Sequence, residues 1–157
     1  MAVENKYDDP VFFEKYGGML RSREGLAGAG EWETLRSILP GLGGRRVLDL
    51  GCGYGWHCAW AADQGAASVL GIDCSRKMLE AAGEKNKRES VEYRLLAIEE
   101  AVFPEGAFDV VLSSLALHYV EDVGAVFRRI YRWLAPGGVF VFTVEHPVFT
   151  AQGPQDW

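Results

Sequence analysis

The chain has 157 residues, of which 48% are hydrophobic, enough for one domain with a core of its own. Its formal net charge of −6 speaks against nucleic acid or an anionic membrane as a default partner, and no apolar run approaches the length of a membrane span. Three cysteines, Cys52, Cys58 and Cys74, form an odd set with no C-x-x-C pair, and no signal-peptide apolar segment opens the sequence, so reduced thiols and a cytoplasmic location are expected.

Residues 1–30 are rich in aromatics and glycine and read as a lid or loop segment, with a short helix over 10–15 opened by Pro10. Two readings of this segment stand side by side. It is a tail that packs a few aromatics on the surface, or a flap over a ligand in which Tyr16, Arg21 and Arg23 meet a carboxylate. Residues 31–157 form the main domain. A helix over 31–39 places Trp32, Leu35, Ile38 and Leu39 on one face and stops at Pro40 and the glycines that follow. Strands are expected over 45–50, 68–73, 91–96, 108–114 and 139–144. The last of these is an unbroken β-branched and aromatic run. Between the strands lie a helix over 55–64, a second that Ser75 can cap and that buries Met78, Leu79 and Ala82, a loop over 97–107 and a helix over 122–134 ended by Pro136-Gly137-Gly138. Strands alternating with helices mean right-handed crossovers and a parallel sheet, which is the α/β class.

The chain is organised around Val47-Leu48-Asp49-Leu50-Gly51-Cys52-Gly53-Tyr54-Gly55. A buried strand breaks into three alternate glycines and a helix follows at once, the arrangement with which an open α/β sheet builds a nucleotide pocket. The spacing is G-x-G-x-G, and Trp56 stands where the dinucleotide fingerprint has its third glycine. Asp49 would be a poor neighbour for a pyrophosphate and a good one for a cationic amine. Asp73 ends the second strand twenty residues after Gly53, where an acid can accept two hydrogen bonds from a ribose diol; an acid favoured by the following helix dipole also fits. His118 and His146 follow the fourth and fifth strands and are the candidates for a general base, with loop packing as the plain alternative. His57 reads as a packing or capping residue. No spacing of Cys, His or acids suggests a metal. Cys52 and Cys74 both close strands, and a disulfide or metal pair between them is a minor expectation.

The D-x-G-x-G-x-G run resembles the first motif of the Rossmann-like methyltransferases that use S-adenosylmethionine (SAM). Gly71-Ile72-Asp73-Cys74-Ser75-Arg76-Lys77-Met78-Leu79, Phe108-Asp109-Val110-Val111 and Leu134-Ala135-Pro136-Gly137-Gly138 match later segments of that family in order and spacing. Over residues 31–147 the chain is similar to a class I SAM-dependent methyltransferase, most of all the methyltransferase type 11 group. The resemblance implies a Rossmann-like three-layer α/β/α sandwich with strand order 3-2-1-4-5. It implies SAM as cofactor and methyl transfer to a small-molecule acceptor. Asp49, Gly51 and Gly53, with Cys52 between them, match positions around the methionine part. Asp73 matches the ribose acid, Cys74, Ser75 and Met78 lie beside ribose and adenine, and Ser113 lies under the methionine chain with Leu115 beyond it on the substrate side. The family's adenine-binding Asp is replaced by Ala97, so that contact falls to Glu99 or to the backbone of Ala97 and Ile98. The family's strands six and seven are expected to be absent from this chain, read as a C-terminally short domain. That leaves strand five as an exposed edge and makes a homodimer, or a piece of a longer protein, an expectation. The competing functions are an NAD-type oxidoreductase, which Trp56 disfavours, and a SAM-binding domain without turnover.

Overall fold

One parallel sheet carries the molecule, in the order β3-β2-β1-β4-β5, with β1 at Arg46–Leu50, β2 at Ser68–Asp73, β3 at Val91–Leu95, β4 at Phe108–Ser114 and β5 at Leu134–Thr143. The computed structural model describes residues 5–150. Helices α1 (Pro10–Gly17), α2 (Leu20–Glu24) and α3 (Trp32–Ile38) precede the sheet. Helices α4 (Trp56–Asp63), α5 (Arg76–Lys85) and α6 (Val123–Trp133) cross between its strands, and a short α7 (Pro147–Thr150) follows β5. The expected strand order and α/β class are those observed.

Apolar residues point both ways from the central strands, which is why these read as continuous hydrophobic runs rather than alternating ones. On one face Leu48, Leu50, Ile72 and Val111 pack against Val126, Ile130 and Trp133 of α6. On the other, Val47, Val69 and Val110 meet Cys58 and Ala61 of α4, while Leu112 and Val141 meet Trp32 and Leu35 of α3. Each fully buried side chain of this kind contributes roughly 1.5–3 kcal/mol. Two caps start helices where the sequence places them: Ser75 Oγ accepts from the Met78 N–H at 3.1 Å and Asp122 Oδ1 from the Ala125 N–H at 2.8 Å. The sheet runs β1-β2-β3 in one direction and β4-β5 in the other. The reversal between β1 and β4 puts their carboxyl ends at a topological switch point, where open α/β sheets carry their ligand crevice.

Two expectations need correction. Residues 5–28 are mostly helical rather than loop-rich: α1 and α2 are flanked by 3-10 turns at Lys6–Asp8 and Gly25–Gly28. The phrase Leu134-Ala135-Pro136-Gly137-Gly138 is part of β5 rather than a helix stop before it. Leu134 follows α6 directly and pairs with Phe108, and the residues up to Gly138 form an irregularity before Val139 pairs with Val110. Among the described residues β5 is an edge strand, with Phe142 exposed. No helix among them is long and apolar enough to cross a membrane.

Candidate functional site

The glycine turn after β1 has two kinds of glycine. Gly51 adopts φ +74°, and a Cβ built on it would fall 2.4 Å from the Ala116 Cβ, so the turn fits only because the side chain is absent. Gly53, at φ +52°, has nothing within 4 Å of that position: its backbone faces open space. Gly51→Ala combines the left-handed penalty with overpacking, and is expected to destabilise the fold by about 3 kcal/mol in urea titration.

Asp73 closes β2 beside this opening. Its Oδ2 accepts from the Gly53 N–H at 2.9 Å and its Oδ1 from the Ser75 N–H at 2.8 Å. A carboxylate has about four lone-pair directions, so two acceptor positions stay available. Burial raises its pKa, the Ser75, Gly53 and Cys74 backbone N–H groups pull the other way, and the Asp8 charge adds to the rise. Next to it, α5 begins under an unexpected partner. Asp8, from the 3-10 turn at the start of the described chain, accepts from Ser75 Oγ at 2.7 Å and from the Lys77 N–H at 3.2 Å. The neighbouring Tyr7 reaches the other side of the crevice, where its hydroxyl lies 3.0 Å from that of Tyr119. The first residues and α1 thus form a strap from α5 to the loop after β4. Edge-to-face contacts join Tyr7 to Tyr16 and Phe13 to Tyr54, and burial foremost, with the Asp73 charge a minor addition, raises the pKa of both Tyr7 and Tyr16. Arg21, a candidate carboxylate partner, is instead paired with Glu31.

Asp49 is 1% exposed. Cys58 Sγ donates to its Oδ2 at 3.4 Å, and Oδ1 has no partner. Burial pushes the carboxyl up to about 7, the Cys58 hydrogen bond lowers it and the Asp73 charge raises it. The Cys52 and Cys58 sulfurs both lie against Gly71 under the turn, Cys52 Sγ donating to the Gly53 carbonyl at 4.0 Å, so Cys52 has its side chain in the core and only its backbone is at the crevice. The expected neighbour of Cys52, Cys74, is instead exposed, and all three cysteines are free. Cys74 and Glu99 lie near one another, since the Glu99 charge helps raise the thiol to about 11 after burial and Asp73. Ala97 and buried Ile98 start the 3-10 turn of Ile98–Glu100 at the same edge, and Met78 is buried in α5. Ser113 is buried, and its hydroxyl donates to the Leu50 carbonyl at 2.9 Å, tying β4 to β1.

The three histidines separate. His57 packs edge-on against Trp32, and burial lowers its pKa to about 4. His146 is exposed and its Nδ1 accepts from the Val148 N–H at 3.2 Å. His118 sits in the 3-10 turn Leu117–Tyr119 after β4, its side chain 11% exposed, its Nδ1 buried without a partner and its Nε2 4.0 Å from Glu145 Oε1. Among the described residues the other buried side-chain atoms without a partner are Ser22 Oγ, Asp49 Oδ1 and Trp56 Nε1. Asp49 and Trp56 flank the glycine turn, and Ser22 lies in α2, whose following Gly25 abuts the Trp56 ring. Buried polar atoms are ordinarily satisfied, so each of these is left open to a partner that the described residues do not supply. Sequence reasoning missed Tyr7, Asp8 and Glu145, all of which meet partners across long separations that no local spacing signals, and the buried, unpartnered hydroxyl of Ser22.

Residues 48–142 match the family described as methyltransferase domain. The chain is 49% identical to an S-adenosylmethionine-dependent methyltransferase from Mesorhizobium loti, with a TM-score of 0.78 over 81% of this chain and 59% of that one. It is 31% identical to Haemonchus contortus phosphoethanolamine N-methyltransferase 2, whose structure is a complex with S-adenosyl-L-methionine, with a TM-score of 0.71 over 90% of this chain and 34% of that one. An uncharacterized Haemophilus influenzae protein is 39% identical over 92% of this chain and 59% of its own length. The chain thus spans about 59% of the curated relative and of the Mesorhizobium structure. With that match covering more than half of its residues, and with the sheet and glycine turn laid out as described, the chain belongs to the methyltransferase-domain family.

Proposed function

We propose that this chain binds SAM across the carboxyl ends of β1, β2 and β4 and transfers its methyl group to a small-molecule acceptor. The observation that carries the reading is Asp73: a carboxylate held by the Gly53 and Ser75 N–H groups, with spare acceptor capacity, beside a glycine backbone that faces open space. A ribose diol fits that carboxylate, and a cationic amine fits the unpartnered oxygen of Asp49. Ala97, Ile98, Glu99 and Cys74 border the side where adenine would lie, and Cys52 and Ser113 shape the floor. When bound, SAM supplies a methyl group on a sulfonium that departs as a neutral thioether. The residues here need to hold, align and shield; alignment alone can account for about 7–11 kcal/mol of a barrier. The strap of Tyr7, Asp8 and Tyr16 closes over Asp73 and serves as the lid that keeps water out. His118 is the base for an acceptor that must lose a proton; His146 lacks its burial and lies outside this cluster. The net charge of −6 and the aromatic lid favour a small molecule over a nucleic acid.

Thermal shift and calorimetry with SAM, S-adenosylhomocysteine and NAD test the binding. At about 100 times its Kd a specific ligand adds roughly 2.7 kcal/mol, a rise of several degrees. SAM and S-adenosylhomocysteine are expected to give it; a shift with NAD alone refutes the reading. Release of S-adenosylhomocysteine in the presence of small-molecule acceptors reads the transfer itself.

A further inference from the structure

His118 and Glu145 come from different strand ends, and one residue fixes both. Leu115 is the one described non-glycine residue at positive φ, +53°. Its N–H donates to the Thr143 carbonyl at 3.0 Å and to Thr143 Oγ1 at 3.1 Å, and Ser114 Oγ lies 3.2 Å from the same Oγ1. A strained residue persists only where its surroundings over-determine it. Here the strain turns the chain at the end of β4 so that Leu117 plugs the core and His118 is presented at the crevice. Thr143 is the last residue of β5, and Glu145 follows two residues on. The anchor that sets the position of the imidazole therefore also sets that of the carboxylate.

We propose that Glu145 is a positioning residue for His118, turning Nε2 toward the end of β5 so that Nδ1 is the ring atom that takes the acceptor's proton. This rests on the methyltransferase reading of the site. Nε2 lies 4.0 Å from Glu145 Oε1, and Nδ1, shielded from solvent, meets no donor or acceptor of the chain. In the neutral ring one nitrogen carries the hydrogen and the other the lone pair; at 4.0 Å the Glu145 carboxylate is beyond hydrogen-bond reach, and its charge favours the hydrogen on Nε2, the ring nitrogen turned toward it. The proton balance is closed. The acceptor heteroatom forms its bond to the methyl carbon, the carbon–sulfur bond breaks with its electron pair leaving on sulfur, and the acceptor's proton ends on Nδ1. The imidazolium so formed is countered by Glu145. The acceptor class that this geometry selects is one with a proton to lose, a hydroxyl or an ammonium, rather than a thioether or a tertiary amine. The other charged or titratable groups facing the ring are Lys6 from the strap and Tyr119 from its own turn, with Tyr7 behind Tyr119, the two hydroxyls 3.0 Å apart. Burial and Lys6 lower the imidazole pKa and Glu145 raises it, with burial the largest, so the ring is neutral and able to accept.

The test is nitrogen-15 NMR of the histidines in the full chain, with His118 assigned by its loss in His118→Asn. The neutral ring is expected as the Nε2–H tautomer, and Glu145→Gln is expected to lower the His118 pKa by about 0.5–1 unit, the scale of one charge at 4.0 Å screened as in bulk water, since Glu145 is itself exposed. Calorimetry should find SAM affinity within two-fold of the unaltered chain, because Glu145 is placed on the acceptor side. An Nδ1–H tautomer, or a His118 pKa that Glu145→Gln leaves unmoved, overturns the proposal. Loss of SAM affinity together with an unmoved imidazole gives Glu145 a purely structural role and overturns it too. Failure of the unaltered chain to bind SAM refutes the methyltransferase reading instead, and leaves the tautomer result standing by itself.

Discussion

Replacing Asp73 by asparagine is expected to weaken SAM binding by about 100-fold or more while the sheet stays intact. A pair of hydrogen bonds to a charged acceptor contributes roughly 3 kcal/mol or more together, and 1.4 kcal/mol is a factor of ten. The carboxylate is also what holds the turn in register. Gly53 and Ser75 each donate a backbone N–H to one of its oxygens, at 2.9 and 2.8 Å. Asparagine keeps one acceptor and sets an NH2 against the other donor, so the glycine turn and the start of α5 lose a shared anchor. Calorimetry reads the affinity and circular dichroism the fold. An affinity within three-fold of the unaltered chain would remove the ribose contact from the proposed site.

Asp49→Asn is expected to act in opposite directions on stability and on binding. The Asp49 carboxyl titrates near 7 in the folded chain, well above its unfolded value of 3.8. A raised carboxyl contributes stability that is full below about pH 4 and is lost as pH rises through 7. Three pKa units correspond to about 4 kcal/mol. Part of that returns as the cost of an unpaired amide in the variant, which leaves a net gain of about 2 kcal/mol for the ligand-free chain at pH 8. The variant should therefore unfold at higher urea at pH 8 than the unaltered chain, and its stability should vary less between pH 4 and 8. Its response to SAM should fall, because the negative charge proposed to meet the cationic amine at the unpartnered oxygen is gone. A variant that is less stable at pH 8, or that binds SAM as well as before, would count against this account of the buried acid. Stability and binding pull apart here because the charge is useful only when a cation covers it.

Much of the fold was legible in the residues themselves. The apolar run into Gly51, Gly53 and Gly55 marks a buried strand and its turn, since only glycine adopts the left-handed backbone that such a turn needs without strain. Ser75 before Met78 and Asp122 before Ala125 are caps of three-residue reach, and both are made. The parallel sheet followed from the alternation of strands and helices, and its order from the resemblance to the methyltransferases. The stop after α6 misled, because Pro136-Gly137-Gly138 serves equally as a bulge within β5, where pairing with β4 decides the matter.

The site divides along the same line. Its composition (the acid before the glycines, the acid ending β2, a histidine after β4) was written in the sequence, because spacing along a strand or turn dictates which residues reach the carboxyl edge. What only the tertiary structure decided is which atoms are left with nothing to bond and which are taken. Cys58 rather than Cys74 is the thiol beside Cys52. Asp8 caps a helix 67 residues away through Ser75, and Glu145 faces His118 through a turn that Thr143 pins. Such pairings are set by how distant segments pack, a choice that hydrophobic burial makes for the whole chain and no short stretch encodes.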